Sequence, residues 1–138
     1  MNHTANARSW VEHANGHSDF PLQNLPLGIF GRPGEARRCG VAIGDAILDL
    51  EAVLAAGLFE GEAKAAVEAT RGGALNAYFA LGRSARVALR ERLQVLLGEH
   101  SEHQAALQPA LYPASDCQLH VPAQVGDYTD FYVGIEHA

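Results

Sequence analysis

The stretch GDYTDFYVGIEHA, residues 126–138, gathers two aspartates, two tyrosines and a histidine into a short run. Asp127, Tyr128, Asp130, Tyr132 and His137 are side-chain types that bind cations, orient polar substrates and move protons. A hard divalent cation prefers carboxylate oxygen. An imidazole that titrates near neutrality can take a proton from water. Read on their own, the same residues also describe an ordinary turn with aromatic anchors and solvated carboxylates.

Other groups of reactive types are weaker candidates. His3, His13 and His17 fit no compact metal site by spacing and read as part of a polar N-terminal tail over 1–17, with Trp10 able to dock on the body. His100 and His103, three apart, could share a helix face, but no cysteine or further histidine stands beside them to complete a zinc site. The arginines Arg86 and Arg90 sit beside Glu91 on a helical stretch, the pattern of a solvated face. Cys39 and Cys117 form no CxxC motif and read as free thiols of a reducing cytoplasm. Cys39 opens a strand, where a cysteine serves as a small apolar filler.

These groups need elements to hold them. A chain of 138 residues can bury one real core. Hydrophobic content of 48% and charged content of 19% are those of a soluble globular domain. The formal net charge of −6 disfavours nucleic acid and anionic membranes as partners. Charged residues break every apolar run before it could span a bilayer, and the first twenty residues lack the apolar core of a signal peptide.

Pro21 and Pro26 exclude a regular helix from SDFPLQNLPLGIF, residues 18–30. Its six apolar residues are too many for a solvated linker, so it should lie across the core and end in a strand near 27–31. CGVAIGDAILDL reads as a hairpin turning at Gly44-Asp45. Asp49 is then placed to cap a helix carrying Leu50, Val53 and Leu54, with Gly57 at its C-terminal end. EAKAAVEAT and ALNAYFALG are shorter helices, the first stopping at Gly72-Gly73. The clearest helix covers 84–97, where Ala85, Leu89, Leu93 and Leu96 form one stripe. Residues 99–118 are polar with Pro109 and Pro113, and Leu119 and Val121 alternate into a short strand before Pro122. A β-rich start, a helical middle and a return to extended chain give an α+β domain, most economically a small curved sheet or barrel with packed helices.

SDFPLQNLPLGIF, GVAIGDAILDL, LNAYFALG and HVPAQVGDYTDFY together resemble the N-terminal region of the fumarylacetoacetase family, in that family's order and near its spacing, over residues 18–138. The resemblance implies a small SH3-like β-barrel with packed helices over 18–122, followed at 123–138 by the first segment of a mixed-β catalytic domain. It implies a hydrolase that splits the carbon–carbon bond of 4-fumarylacetoacetate into fumarate and acetoacetate in tyrosine and phenylalanine catabolism. It further implies a diketo acid substrate, a homodimer, and Ca²⁺ or Mg²⁺ held in the second domain. Carried over by position, Asp130 matches a metal ligand, Tyr132 a substrate contact and His137 the general base. Asp127 and Tyr128 read as structural. The spacer VGIE before His137 is more apolar than the family's small polar and basic residues, while the seven-residue separation from Asp130 is kept. The remaining ligands and oxyanion donors are expected outside these residues, which would be inactive on their own. The competing reading is a stand-alone barrel-like interaction module without catalysis.

Overall fold

A computed structural model describes residues 8–71 and 75–120. Five strands and five α-helices are present among them. The strands are β1 (Leu27–Gly31), β2 (Arg38–Ile43), β3 (Ala46–Asp49), β4 (Leu111–Pro113) and β5 (Gln118–His120). They form one antiparallel sheet in the order β4-β3-β2-β1-β5. The α+β class expected from the sequence is therefore present. Among the described residues no pairing joins β4 to β5, so the sheet is not closed by hydrogen bonds between its edges.

Alternation along the strands divides the apolar residues between two faces. Ile29, Cys39, Val41, Ile43 and Leu48 enter the main core. Phe30, Ala42 and Ile47 point the other way and form a small second cluster with Phe20. The register fixes this division, with Leu27 opposite Val41, Ile29 opposite Cys39 and Val41 opposite Leu48. A slip of one residue would exchange the two faces.

Helices cover the main face: α1 (Leu50–Ala55), α2 (Gly61–Glu68), α3 (Asn76–Ala80), α4 (Arg83–Leu97) and α5 (Gln104–Leu107). Helix α4 buries Ala85, Leu89, Leu93 and Leu96, the stripe expected from its spacing, together with Leu97. Helix α1 begins at Asp49, whose side chain accepts from the backbone amides of Glu51 and Ala52. Gly57, at φ +80°, supplies the left-handed residue that follows its C-terminal cap. The polar stretch 99–118 holds more structure than its composition suggested. Leu107 and Ala110 are buried there, and β4 adds to the sheet edge beside β3. Pro113 is tolerated because it ends an edge strand.

The tail expected over 1–17 is, in its described part, packed onto the body. The last carbonyls of a helix have no partner within it, and this segment supplies partners for α4. Trp10 Nε1 donates to the Leu96 carbonyl at 3.0 Å, and Ser9 Oγ donates to the Leu97 carbonyl at 2.6 Å. Ser9 pairs with Gly98 in an isolated bridge. Val11 and Ala14 are buried.

His13 and His17 fasten the same segment to the β2–β3 turn. His13 Nδ1 accepts from the Asp45 amide at 3.0 Å. His17 Nδ1 accepts from the amides of Asp19 and Phe20, which leaves the proton on Nε2, 2.9 Å from Asp45 Oδ1. Gly44 has φ +58°, and no non-glycine residue among the described residues has positive φ, so the turn is left-handed at its first central position alone. That is the pattern of a type II′ hairpin, which accounts for Gly preceding Asp.

Gly44→Ala is expected to destabilise the fold well beyond the roughly 1–3 kcal/mol of a strained backbone residue. An added Cβ there would collide with the His13 ring and approach the Ala14 nitrogen to 2.9 Å. Gly34, at φ +79° with nothing within 4 Å of an added Cβ, is the control that carries strain alone. Urea denaturation of both alanine variants checks this; equal losses would mean that the histidine contact contributes nothing.

Candidate functional site

Asp130, Tyr132 and His137 lie outside the described residues, as do Asp127 and Tyr128. The structure describes the scaffold that leads to them. Strand β5 runs antiparallel to β1, with His120 opposite Ile29 and Leu119 opposite Phe30. The chain thus reaches the edge of the sheet beside β1 ten positions before Asp130.

Among the described residues, the densest polar constellation surrounds Asp49. Its side chain is 1% exposed, at the point where β3 becomes α1. A carboxylate can be buried there only if its oxygens are satisfied. Oδ1 accepts from the Glu51 amide at 3.0 Å and the Ala52 amide at 3.3 Å. Oδ2 accepts from Arg38 Nη1 at 2.8 Å and from the Tyr112 hydroxyl at 3.4 Å. One carboxylate therefore ties together β2, α1 and β4.

Electrostatics follow from that geometry. Asp49 beside it holds the Arg38 guanidinium above its ordinary range, against the opposing effect of partial burial. Burial, then the nearby Asp49 charge, raises the Tyr112 phenol. The Arg32 guanidinium lies 4.0 Å from the centroid of the Tyr112 ring, a cation–π contact that extends the network to the β1–β2 turn. Every oxygen of Asp49 is engaged in holding backbone or side chains, so the constellation is structural rather than catalytic.

The thiols also lack the setting of nucleophiles. Both cysteines are free, as expected. Cys39 is fully buried, and burial pushes its thiol up to about 12 against the opposing influence of the Thr70 hydroxyl and the Gly28 backbone. It is a core filler, and an inert one. Cys117 is half-buried, with burial again raising its thiol. His100 is exposed with Glu99 at 3.7 Å, a surface histidine as expected. No group of three or more His, Cys, Asp or Glu that could hold a metal is present among the described residues.

The sequence revealed Asp49 as a helix cap and nothing more. Tyr112 and Arg38 reach it from 63 and 11 positions away. No local signal joins residues at those separations.

Two outcomes are expected. Asp49→Ala should lower stability by about 2–4 kcal/mol, from a lost cap worth about 1 kcal/mol and unpaired partners worth about 1–3 kcal/mol. Asp49→Asn, which keeps an acceptor for the cap, should lose less than half as much in denaturant titration. Alkali should also destabilise the fold. Cys39 and Tyr78, pushed by burial up to about 12 from 9.0 and 10.0, keep their protons when folded and lose them sooner when unfolded. Their stabilising contribution is complete below pH 9 and lost as pH rises through 12. Melting temperature against pH checks this, and Cys39→Ala should flatten the decline; an unchanged slope would contradict it.

Comparison with known proteins supplies the context for this scaffold. The family of fumarylacetoacetase N-terminal domains matches residues 23–122. The fumarylacetoacetase of Caenorhabditis elegans is 44% identical over 128 residues, covering 88% of this chain and 30% of that protein. That of Oryza sativa subsp. japonica is 43% identical over 139 residues, covering 95% and 32%. The human enzyme is 38% identical over 127 residues, covering 88% and 30%. The chain thus spans about 30% of the length of these curated relatives. With a match over most of its length to the domain that opens those proteins, this chain belongs to the fumarylacetoacetase family.

Proposed function

We propose that the chain is the N-terminal part of a hydrolase that cleaves the carbon–carbon bond of 4-fumarylacetoacetate to fumarate and acetoacetate, in tyrosine and phenylalanine catabolism. The observation that carries this reading is the family match over residues 23–122, joined to relatives of 34–44% identity that are all fumarylacetoacetases. Residues 18–122 are then the N-terminal domain, and 123–138 begin the catalytic part.

Connection lengths favour an SH3-like barrel for the domain. In a flat sheet, four spacings of about 4.8 Å would separate the β4 and β5 edges by about 19 Å. The link from Pro113 to Gln118 is short and contains a 3₁₀ turn at Ala114–Asp116. Even fully extended it would reach only about 17 Å, and the turn shortens it. The sheet must therefore curl, bringing its two edges toward each other.

Within the catalytic part, His137 takes a proton from the attacking water, which adds to the carbonyl of the fumaryl group. The carbon–carbon bond then breaks, and the departing carbon takes up a proton to become acetoacetate. Tyr132 orients the diketo acid. Asp130 supplies one carboxylate toward Ca²⁺ or Mg²⁺, which takes six or more oxygen ligands and draws the others from outside these residues. When bound, such a cation would polarise the diketo oxygens. Cytoplasmic location is supported by the free thiols. Homodimerisation belongs to the same proposal and rests on the family alone.

The test uses the full-length protein. His137→Ala should leave metal affinity nearly intact and lower turnover by about a hundredfold to ten-thousandfold. Asp130→Ala should weaken the metal itself, with added metal restoring part of the activity. Equal metal loss in both variants, or unchanged turnover for His137→Ala, would overturn these roles.

A further inference from the structure

Beside α4, and remote in sequence from Asp130 and His137, lies an open pocket of about 380 Å³. Its floor is apolar. Tyr78, Leu89 and Leu93 are buried beneath it, and the Phe79 ring leans on Tyr78 at 5.5 Å between centroids. Leu25 of the extended segment before β1 and Leu27, the first residue of β1, form one wall.

The opposite lip carries Arg83, Arg86 and Arg90, all exposed. Spacings of three and four place them along one face of α4 over about 10 Å. No Asp or Glu lines the pocket, and no ion pair among the described residues involves these three arginines. Arg90 has one long contact, donating to the Gln23 carbonyl at 3.4 Å. Glu91 is turned about 100° away from Arg90 around the helix. Like charges at i and i+4 repel, and here they do so on a chain whose net charge is −6. A solvated helix face, the reading that the sequence alone favoured, does not require an apolar hollow beneath the charges.

The chemistry of the lining selects the ligand. Guanidinium groups take carboxylates in a bidentate fork. The buried aromatic and leucine floor takes a flat apolar body. Tyr78 remains a neutral hydroxyl, because burial pushes its phenol up to about 12. The volume falls within the range of small-molecule sites, about 300–1,000 Å³. We propose that this pocket binds small planar dicarboxylates, their carboxylates held by Arg86 with Arg83 or Arg90 and their flat body lying on Phe79 and Leu89.

Phthalate, a flat aromatic dicarboxylate, is the probe, titrated calorimetrically into the full-length protein in about 0.1 M salt. The expected dissociation constant is below about 1 mM. Its neutral diamide should bind at least tenfold more weakly, and the Arg86→Gln/Arg90→Gln variant should lose phthalate affinity at least tenfold. Val87 is 38% exposed on the same lip, so Val87→Asp places a competing carboxylate there without disturbing the core. It should weaken phthalate to the same degree, and it decides the matter if the double variant fails to fold. No binding by the wild type, equal binding of the diamide, or undiminished affinity in Val87→Asp would overturn the proposal.

Discussion

The fold turns on the burial of one charge. Asp49 sits where an extended strand must become a helix, in a place that water does not reach. An ionised carboxylate can remain there only while donors surround it. The first amides of α1, the Arg38 guanidinium and the Tyr112 hydroxyl meet that demand together. Satisfying it brings β2, the start of α1 and β4 to one point. Arg32 then covers the outer face of Tyr112, so the β1–β2 turn is drawn into the same network.

A second constraint acts at the C-terminal end of α4. A helix that ends against the core exposes carbonyls that must find partners. Ser9 and Trp10 provide them from the start of the chain. Their docking positions Val11 and Ala14 to be buried, and it aligns His13 and His17 over the hairpin turn. The N-terminal segment thus bridges the end of the long helix and the sheet. Both networks stabilise a platform from which β5 leads toward Asp130.

Much of this platform was legible in the sequence because its signals are local. The four-four-three spacing of Ala85, Leu89, Leu93 and Leu96 marks α4. Asp49 before a helical run marks a cap, and Gly44 between alternating apolar residues marks a turn. What escaped were pairings between distant positions. Nothing in the composition of residues 8–17 shows that they answer the carbonyls of Leu96 and Leu97, 86 and 88 positions away. Strand β4 escaped for a similar reason, since a short strand flanked by prolines shows itself only by pairing with β3. The candidate site was legible through its resemblance to a family. Residue types alone allowed DYTDFY to be a plain turn, and the described residues end before it.

The central claim is that this scaffold serves a carbon–carbon bond hydrolase. The most direct measurement follows fumarate and acetoacetate released by the full-length wild-type protein from 4-fumarylacetoacetate in the presence of Ca²⁺ or Mg²⁺. The account predicts catalytic turnover, with the two products formed in equal amounts and one water consumed for each substrate cleaved. A folded full-length protein that leaves the substrate intact with either ion would contradict it.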